Sequence, residues 1–322
     1  MSVARSFFSW PLGACIGAYA LILASTTASA GETATPVYQD IAVPEKLSLC
    51  GEAVPLGNPA VHEMLDRELT ISAWEHAQVF MWIKRSGRAF PVIEKRLAEL
   101  GMPSDLKYLA VAESSLLTYA ESNKAAVGTW QMIAETGVRN GLRKDELVDG
   151  RYSLESSTEA ALGYLQKLHE EFGSWMLALA AYNCGEARLR REIEIQKVTD
   201  YYRLNLPLET ERFVFRIAAI KLIMQNPEKY GYHVPGEHMY KPLKVDLVTV
   251  KLTNTVPIAD VALGIGTDFK IIKELNPQLT GYHLPVGSYQ LKMPQGLGSK
   301  TLAVVKSLSA AAPTPEAKEK KP

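Results

Sequence analysis

The apolar positions of this chain recur at helical spacing over most of its length. Asn58-Pro59 supplies a capping residue and a proline at the first helical position, and Val61, Leu65 and Leu69 follow four apart. That pattern predicts a helix running to Arg85 and stopping before Gly87, then a shorter one from Pro91 to Leu100 ended by Gly101. Met102-Pro103-Ser104-Asp105 starts the next helix, in which Leu106, Leu109, Ala110 and Glu113 share one face. Ser156-Ser157-Thr158-Glu159 reads as a capping box opening an amphipathic helix with Ala161, Tyr164, Leu165 and Leu168 inward, closed by Gly173. Trp175 to Asn183 is apolar nearly all round, as expected of a central buried helix stopped by Gly185. Leu206-Pro207-Leu208-Glu209-Thr210 opens a last long helix reaching about Gln225.

Beyond residue 232 the pattern changes. Pro235-Gly236 and Pro242 mark a linker over 233–244, and Val245 to Lys251 alternates like a strand. Val256–Leu263 and Asp268–Leu275 read as short helices, and Tyr289–Met293 as a closing strand. The expected fold is therefore mainly α: a helical domain over 58–232 and a small α+β module, strand–helix–helix–strand, over 245–295. Residues 31–57, with three prolines, are expected to form an extended arm over the core. Residues 296–322, poor in bulky apolar side chains toward the end, are expected to be disordered.

Composition narrows the function. The 322 residues hold 35 basic and 35 acidic side chains, so net charge offers no argument for a nucleic-acid partner. Residues 1–30 read as a signal peptide: Arg5, an apolar run from Phe7 to about Ala24, and Ala28-Ser29-Ala30 before Gly31. The alternative is an uncleaved membrane anchor, for which the run is short. Either way the chain is expected in the periplasm or cell envelope. Cys50 and Cys184 would remain after cleavage and could pair. The six histidines are scattered and no Cys/His cluster has zinc spacing, so neither a metal nor a cofactor is expected.

The informative polar position is Glu113. It is a carboxylate on a face otherwise made of Leu106, Leu109 and Ala110. A carboxylate taken out of water finds a partner or keeps its proton. A protonated glutamic acid near neutral pH is the general acid of a glycosidase. Gly128 either lets backbone approach a ligand closely or merely allows two helices to pack. Tyr182 and Asn183, at the end of a buried helix, either satisfy core backbone or face a cleft. Trp74, Phe80 and Trp82 are expected to be core rather than a sugar platform.

Four segments then coincide: Ala112-Glu113-Ser114, Gly128-Thr129-Trp130-Gln131, Ala180-Ala181-Tyr182-Asn183 and Leu206-Pro207-Leu208-Glu209-Thr210. In this order and spacing they resemble the lysozyme-like catalytic domain of lytic transglycosylases of glycoside hydrolase family 23. The resemblance covers roughly residues 60–230. It implies cleavage of the β-1,4 bond between N-acetylmuramic acid and N-acetylglucosamine in peptidoglycan, with Glu113 as acid and then base and a 1,6-anhydro product. It implies that Ser122, Gln131, Tyr182 and Asn183 meet substrate or the acid, and that Ser114 and Glu209 stand behind it. One framed carboxylate suits this chemistry, whereas ordinary glycosidases use two. Ala125 replaces the family's usual glycine, Cys184 a usual alanine, and Phe213 a usual tyrosine. The 245–295 module resembles LysM, although Thr253-Asn254-Thr255 stands in place of its Gly-Asp-Thr. Peptidoglycan strands are thus the implied partner, with membrane association confined to the N-terminus and no obligate protein partner. The competing readings are a goose-type lysozyme-like hydrolase, which would use water, and a non-catalytic wall-binding scaffold.

Overall fold

The computed structural model describes residues 40–310. The signal peptide expected over 1–30, the start of the arm and the last twelve residues lie outside the described residues. Residues 41–57 lie on the helical core as a two-residue hairpin, β1 (Ser48–Leu49) against β2 (Glu52–Ala53). Leu49 and Val54 are buried beneath it. Two ionic clips fasten it. Asp105 Oδ2 accepts from the Cys50 backbone N–H and the Lys221 ammonium, both at 2.8 Å. Glu52 accepts from Ser174 Oγ and from the Trp175 N–H.

Asn58 caps α1 (Pro59–Trp74) as the sequence predicts, its side chain accepting from the Ala60 N–H. The predicted run to Arg85 is broken at Glu75, and α2 (His76–Glu99) then continues without interruption through Gly87 and Pro91. An interior proline disfavours a helix by about 3 kcal/mol and a glycine by about 1 kcal/mol. The inward face of Val79, Trp82, Ile83, Ile93 and Leu97 outweighs both, because each large apolar side chain it buries is worth roughly 1.5–3 kcal/mol. Gly87 has a different task. A Cβ there would lie 2.9 Å from the Tyr240 carbonyl, so the segment leading to the C-terminal module can pack directly on α2. Of the three aromatics expected in the core, only Trp82 is there; Trp74 and Phe80 are each more than a third exposed.

A 3₁₀ turn at Ser104–Leu106 leads into α3 (Lys107–Ser114). After α4 (Ala134–Arg139) comes α5 (Leu154–Phe172), capped by Ser153 rather than by the Ser156 box. Ser153 accepts from the Ser156 N–H, so the first Ser-x-x-Ser spacing takes the cap. The central helix α6 (Trp175–Cys184) is buried from Met176 to Ala181, and α7 (Glu186–Gln196) and α8 (Leu208–Gln225) follow. α8 packs on α1, α3 and α6. This packing brings the carboxylate face of α3 against the polar start of α8.

The C-terminal part has its own core. β3 (Val245–Leu252) precedes β4 (Val256–Pro257), α9 (Ile258–Ile265), α10 (Phe269–Leu275), β5 (His283–Leu284) and β6 (Gly287–Pro294). β3 and β6 pair antiparallel along their whole length, from Val245 opposite Pro294 to Leu252 opposite Gly287. Val248, Val250, Leu252, Leu291 and Met293 point inward. Of the stretch expected to be disordered from residue 296, Gly298–Ala310 is a helix. α11 (Gly298–Ala310) packs on β3 and α9, burying Thr301, Val305 and Ser309. The Gly, Ser, Ala and Lys residues around it hid a helix whose inward stripe is only Thr301, Val305 and Ser309. The two cores meet at residues 144–149: Val148 is buried in the second core, Thr280 N–H donates to Leu147 O at 2.9 Å, and Asp149 N–H donates to Gln278 O at 2.8 Å. Cys50 and Cys184 are both free thiols. Among the described residues no helix is long and apolar enough to cross a membrane.

Candidate active site

Leu106, Leu109 and Ala110 are fully buried, and the face they define carries Glu113 to the floor of a cavity of about 840 Å³. α3 stops one residue later. Ser115 and Leu116 both take left-handed backbone angles, φ 54° and 63°. Trp82 Nε1 donates to Ser115 Oγ and Arg85 Nη1 to Ser115 O, at 2.9 and 3.1 Å, so α2 holds this strained corner in place.

The opposite wall is the 120–132 loop. Ser114 Oγ donates to Thr129 O at 2.8 Å and ties it to α3. Gly128, at φ 80°, donates its N–H to Ala120 O. A Cβ on Gly128 would sit 2.0 Å from the Arg151 carbonyl, so the close approach it permits is to protein backbone, not to a ligand. Arg151 itself is 5 % exposed and fixes the loop from behind. Its Nη1 donates to Ala125 O and Met132 O at 2.9 and 3.0 Å, and its Nε and Nη2 reach Asp149 at 2.9 and 2.7 Å. Trp130 is buried with its indole N–H on Thr158 Oγ1.

Ala125 adopts φ 56° in this loop, a conformation that glycine takes without strain. Ala125→Gly is expected to stabilise the protein by about 0.5 kcal/mol, relief of a left-handed alanine (about 1–2 kcal/mol) less the entropy glycine adds to the unfolded chain (about 0.5–1 kcal/mol). Differential scanning calorimetry should show a small rise in Tm; a fall would mean the loop gains nothing from glycine.

Ser122, Gln131, Tyr182, Asn183 and Glu209 line the same cavity as Glu113. Ser114 does not; it lies behind the acid. Ser122 Oγ accepts from the Lys124 and Ala126 N–H groups, leaving its own hydroxyl proton to give. Gln131 donates both amide protons, to Ala120 O and Gly128 O, leaving its carbonyl oxygen to accept. Asn183 Oδ1 accepts from Thr210 Oγ1 at 2.9 Å, leaving its amide protons to donate. The resemblance implied that the Tyr182 hydroxyl reaches the acid. In the structure its proton goes to Trp130 O at 2.7 Å, and Glu113 acts on it electrostatically. Having given that proton, it offers only a lone pair elsewhere.

Burial is the dominant influence on Glu113. Part of the side chain opens to the cavity, while the protein packed around the rest desolvates it. That desolvation pushes its pKa up to about 8; Arg216 opposes the shift and Glu209 adds to it. Among the described residues no group is hydrogen-bonded or ion-paired to it. Tyr182 is pushed well above its ordinary value, first by burial and then by Glu113. A second cleft acid, Glu186, behaves oppositely. Burial works against its charge, but Tyr164 Oη at 2.6 Å and Arg139 Nη2 at 2.7 Å hold it below the usual carboxylate range. Each of its oxygens is already engaged. The sequence reading missed Glu186, Arg216 and the Asp149–Arg151 pair, which carry no motif.

Residues 90–205 match the family model described as the transglycosylase SLT domain. Over 237 residues the chain is 32 % identical to membrane-bound lytic murein transglycosylase D of Escherichia coli strain K12, covering 69 % of this chain and 52 % of that protein. The same-named protein of Escherichia coli O6:H1 matches equally. The chain thus spans about half the length of the curated relatives it matches. Among solved structures, the 70 kDa soluble lytic transglycosylase of Escherichia coli aligns at 17 % identity and a TM-score of 0.38, over 47 % of this chain and 26 % of that one.

Proposed function

We propose that the chain, whose residues 90–205 match the transglycosylase SLT domain, is a peptidoglycan lytic transglycosylase with Glu113 as its single acid and base. The observation that supports this best is one carboxyl group, kept protonated by burial, on the floor of a cleft whose other cavity-lining carboxylates differ from it. Glu186 has both oxygens occupied, Glu209 is ion-paired to Arg216, and Glu135 is exposed.

Glu113 gives its proton to the oxygen joining N-acetylmuramic acid to N-acetylglucosamine. The muramic C1–O bond breaks, and its electron pair leaves with the N-acetylglucosamine 4-oxygen. The Glu113 carboxylate then takes the proton of the muramic C6 hydroxyl as O6 closes on C1. The acid is restored, the ring is 1,6-anhydro, and no water is consumed. Tyr182, its proton committed to Trp130, presents a lone pair suited to a protonated Glu113. Ser122 and Asn183 have donors to spare and Gln131 an acceptor, a set matched to the hydroxyl and acetamido groups of the sugars.

The same reading places the protein in the cell envelope, exported by residues 1–30 and membrane-associated only if that segment is retained. It takes 58–232 as the catalytic domain, 233–244 as the linker and 245–295 as a LysM-like unit that holds glycan.

Mass spectrometry of the muropeptides released from purified sacculi tests the reaction. Products are expected to end in 1,6-anhydro-muramic acid, one water lighter than reducing ends. Reducing ends throughout would instead establish a lysozyme-type hydrolase, and no release at all a binding scaffold.

A further inference from the structure

Arg216 stands between two acids. Through Nε it reaches Glu68 Oε2 at 3.4 Å, and through Nη1 it reaches Glu209 Oε1 at 3.0 Å. Glu68 comes from α1, is 2 % exposed, and also bonds Arg67 and Arg212, the latter at 2.8 Å. Glu209, Arg212 and Arg216 recur along one face of α8, so Glu68 meets the two arginines as a pair. The Arg216 guanidinium, half-buried and held at both ends, lines the cavity that Glu113 floors.

We propose that Arg216 is a positioning residue of the reaction: clamped by Glu68 and Glu209, it fixes a positive charge in the cleft wall to steady Glu113 once that acid has given up its proton. The proposal rests on the reading of Glu113 as acid and then base. After proton transfer to the glycosidic oxygen, a half-buried carboxylate is left that has no hydrogen-bond or ion-pair partner among the described residues. Such a charge is strongly disfavoured without compensation. It disappears again when the C6 hydroxyl returns a proton, so the compensation is needed only between the two transfers. A guanidinium bonded directly to Glu113 would strip the acid of its proton beforehand. Here Arg216 is already engaged by two carboxylates, so its pull on Glu113 is partial, and burial still prevails.

The other ionisable groups facing Glu113 do not replace Arg216. Glu209, on α8, adds negative charge. Tyr182, on α6, is neutral. Across the cleft, Arg139 is paired with Glu186, while Lys124, Glu135 and Arg188 are exposed.

The test compares wild type with Arg216→Gln and Arg216→Lys. Both variants leave Glu68 with Arg67 and Arg212, so the buried acid keeps partners and the fold is retained. The Glu113 carboxyl is titrated by ¹³C NMR, assigned by its loss in Glu113→Gln. In Arg216→Gln its midpoint should rise by about one pH unit, as expected on losing a nearby opposite charge, while Arg216→Lys stays close to wild type. On soluble glycan, kcat of Arg216→Gln should fall about tenfold to a hundredfold with little change in KM, and Lys should recover most of it. An unmoved midpoint in Arg216→Gln, with or without a lower Tm, overturns the proposal and leaves Arg216 a structural residue. The titration needs no substrate, so a wild type that cleaves nothing would refute the transglycosylase reading separately.

Discussion

Glu113→Gln is expected to lower kcat/KM on soluble glycan by at least a factor of about a thousand, and at the same time to make the protein more stable at neutral pH. The first effect follows from the two proton transfers that pass through one side chain, since a positioned general acid or base contributes about a hundred- to ten-thousandfold by itself. Glutamine keeps the size and hydrogen-bonding shape of the protonated acid, so glycan binding should survive. The second effect follows from linkage. In the unfolded chain the carboxyl titrates near 4.5, and in the folded protein near 8. Below the lower value both states are protonated, and Glu113 adds no pH dependence. Between the two, the unfolded chain sheds its proton while the folded protein keeps it, so stability falls as pH rises through that window. Glutamine does not titrate. Its advantage should be small near pH 4 and grow to at most about 3 kcal/mol at pH 7. Thermal melts of both proteins across that range, beside turnover, check the pair of effects. Wild-type turnover would remove Glu113 from the chemistry. A Tm difference independent of pH would mean that its carboxyl is not desolvated. The kcat/KM profile of the wild type should likewise lose activity on an alkaline limb near pH 8, where the general acid loses its proton.

Gly128→Ala is the change expected to harm the fold most. Gly128 sits at φ 80°, and the added methyl would lie 2.0 Å from Arg151 O and 2.9 Å from Arg151 C. Backbone is what would have to yield, and it is poorly placed to do so. Arg151 is fastened by Asp149, Ala125 and Met132, and Asp149 is fastened in turn to Gln278 of the C-terminal core. The expected destabilisation is about 3 kcal/mol or more, from left-handed strain added to overpacking. Chemical denaturation should show it as a lower midpoint. Because Gln131 and Ser122 belong to the same loop, KM on glycan should rise in whatever fraction stays folded. A variant with wild-type stability and KM would show that the loop relaxes freely.

The helical architecture and the acid were legible because local rules carried them. Caps at Asn58, Gly173 and Gly185 worked as read, and the stripe of Leu106, Leu109 and Ala110 pointed to Glu113. The same signal also marks Glu68, which follows Val61 and Leu65 on the buried face of α1. Periodicity could not separate the two acids. Glu68 turned out to be caged by three arginines, two of them 144 and 148 residues away in sequence, whereas Glu113 has none bonded to it. Elsewhere, local signals were outvoted. Pro91 and Gly87 failed to end α2, and Gly298–Ala310 formed a helix.

The sequence by itself determined the helices α1, α3, α5, α6 and α8, and that Glu68 and Glu113 each lie on an apolar helix face. Those are properties of neighbours three and four apart, fixed by the geometry of a turn. The tertiary structure alone decided what each acid meets: Arg216 and Glu209 beside Glu113, Tyr164 and Arg139 on Glu186, Trp130 O on Tyr182. A carboxyl group's charge state is set by water removed and charges brought near, and both come from residues far apart in the chain.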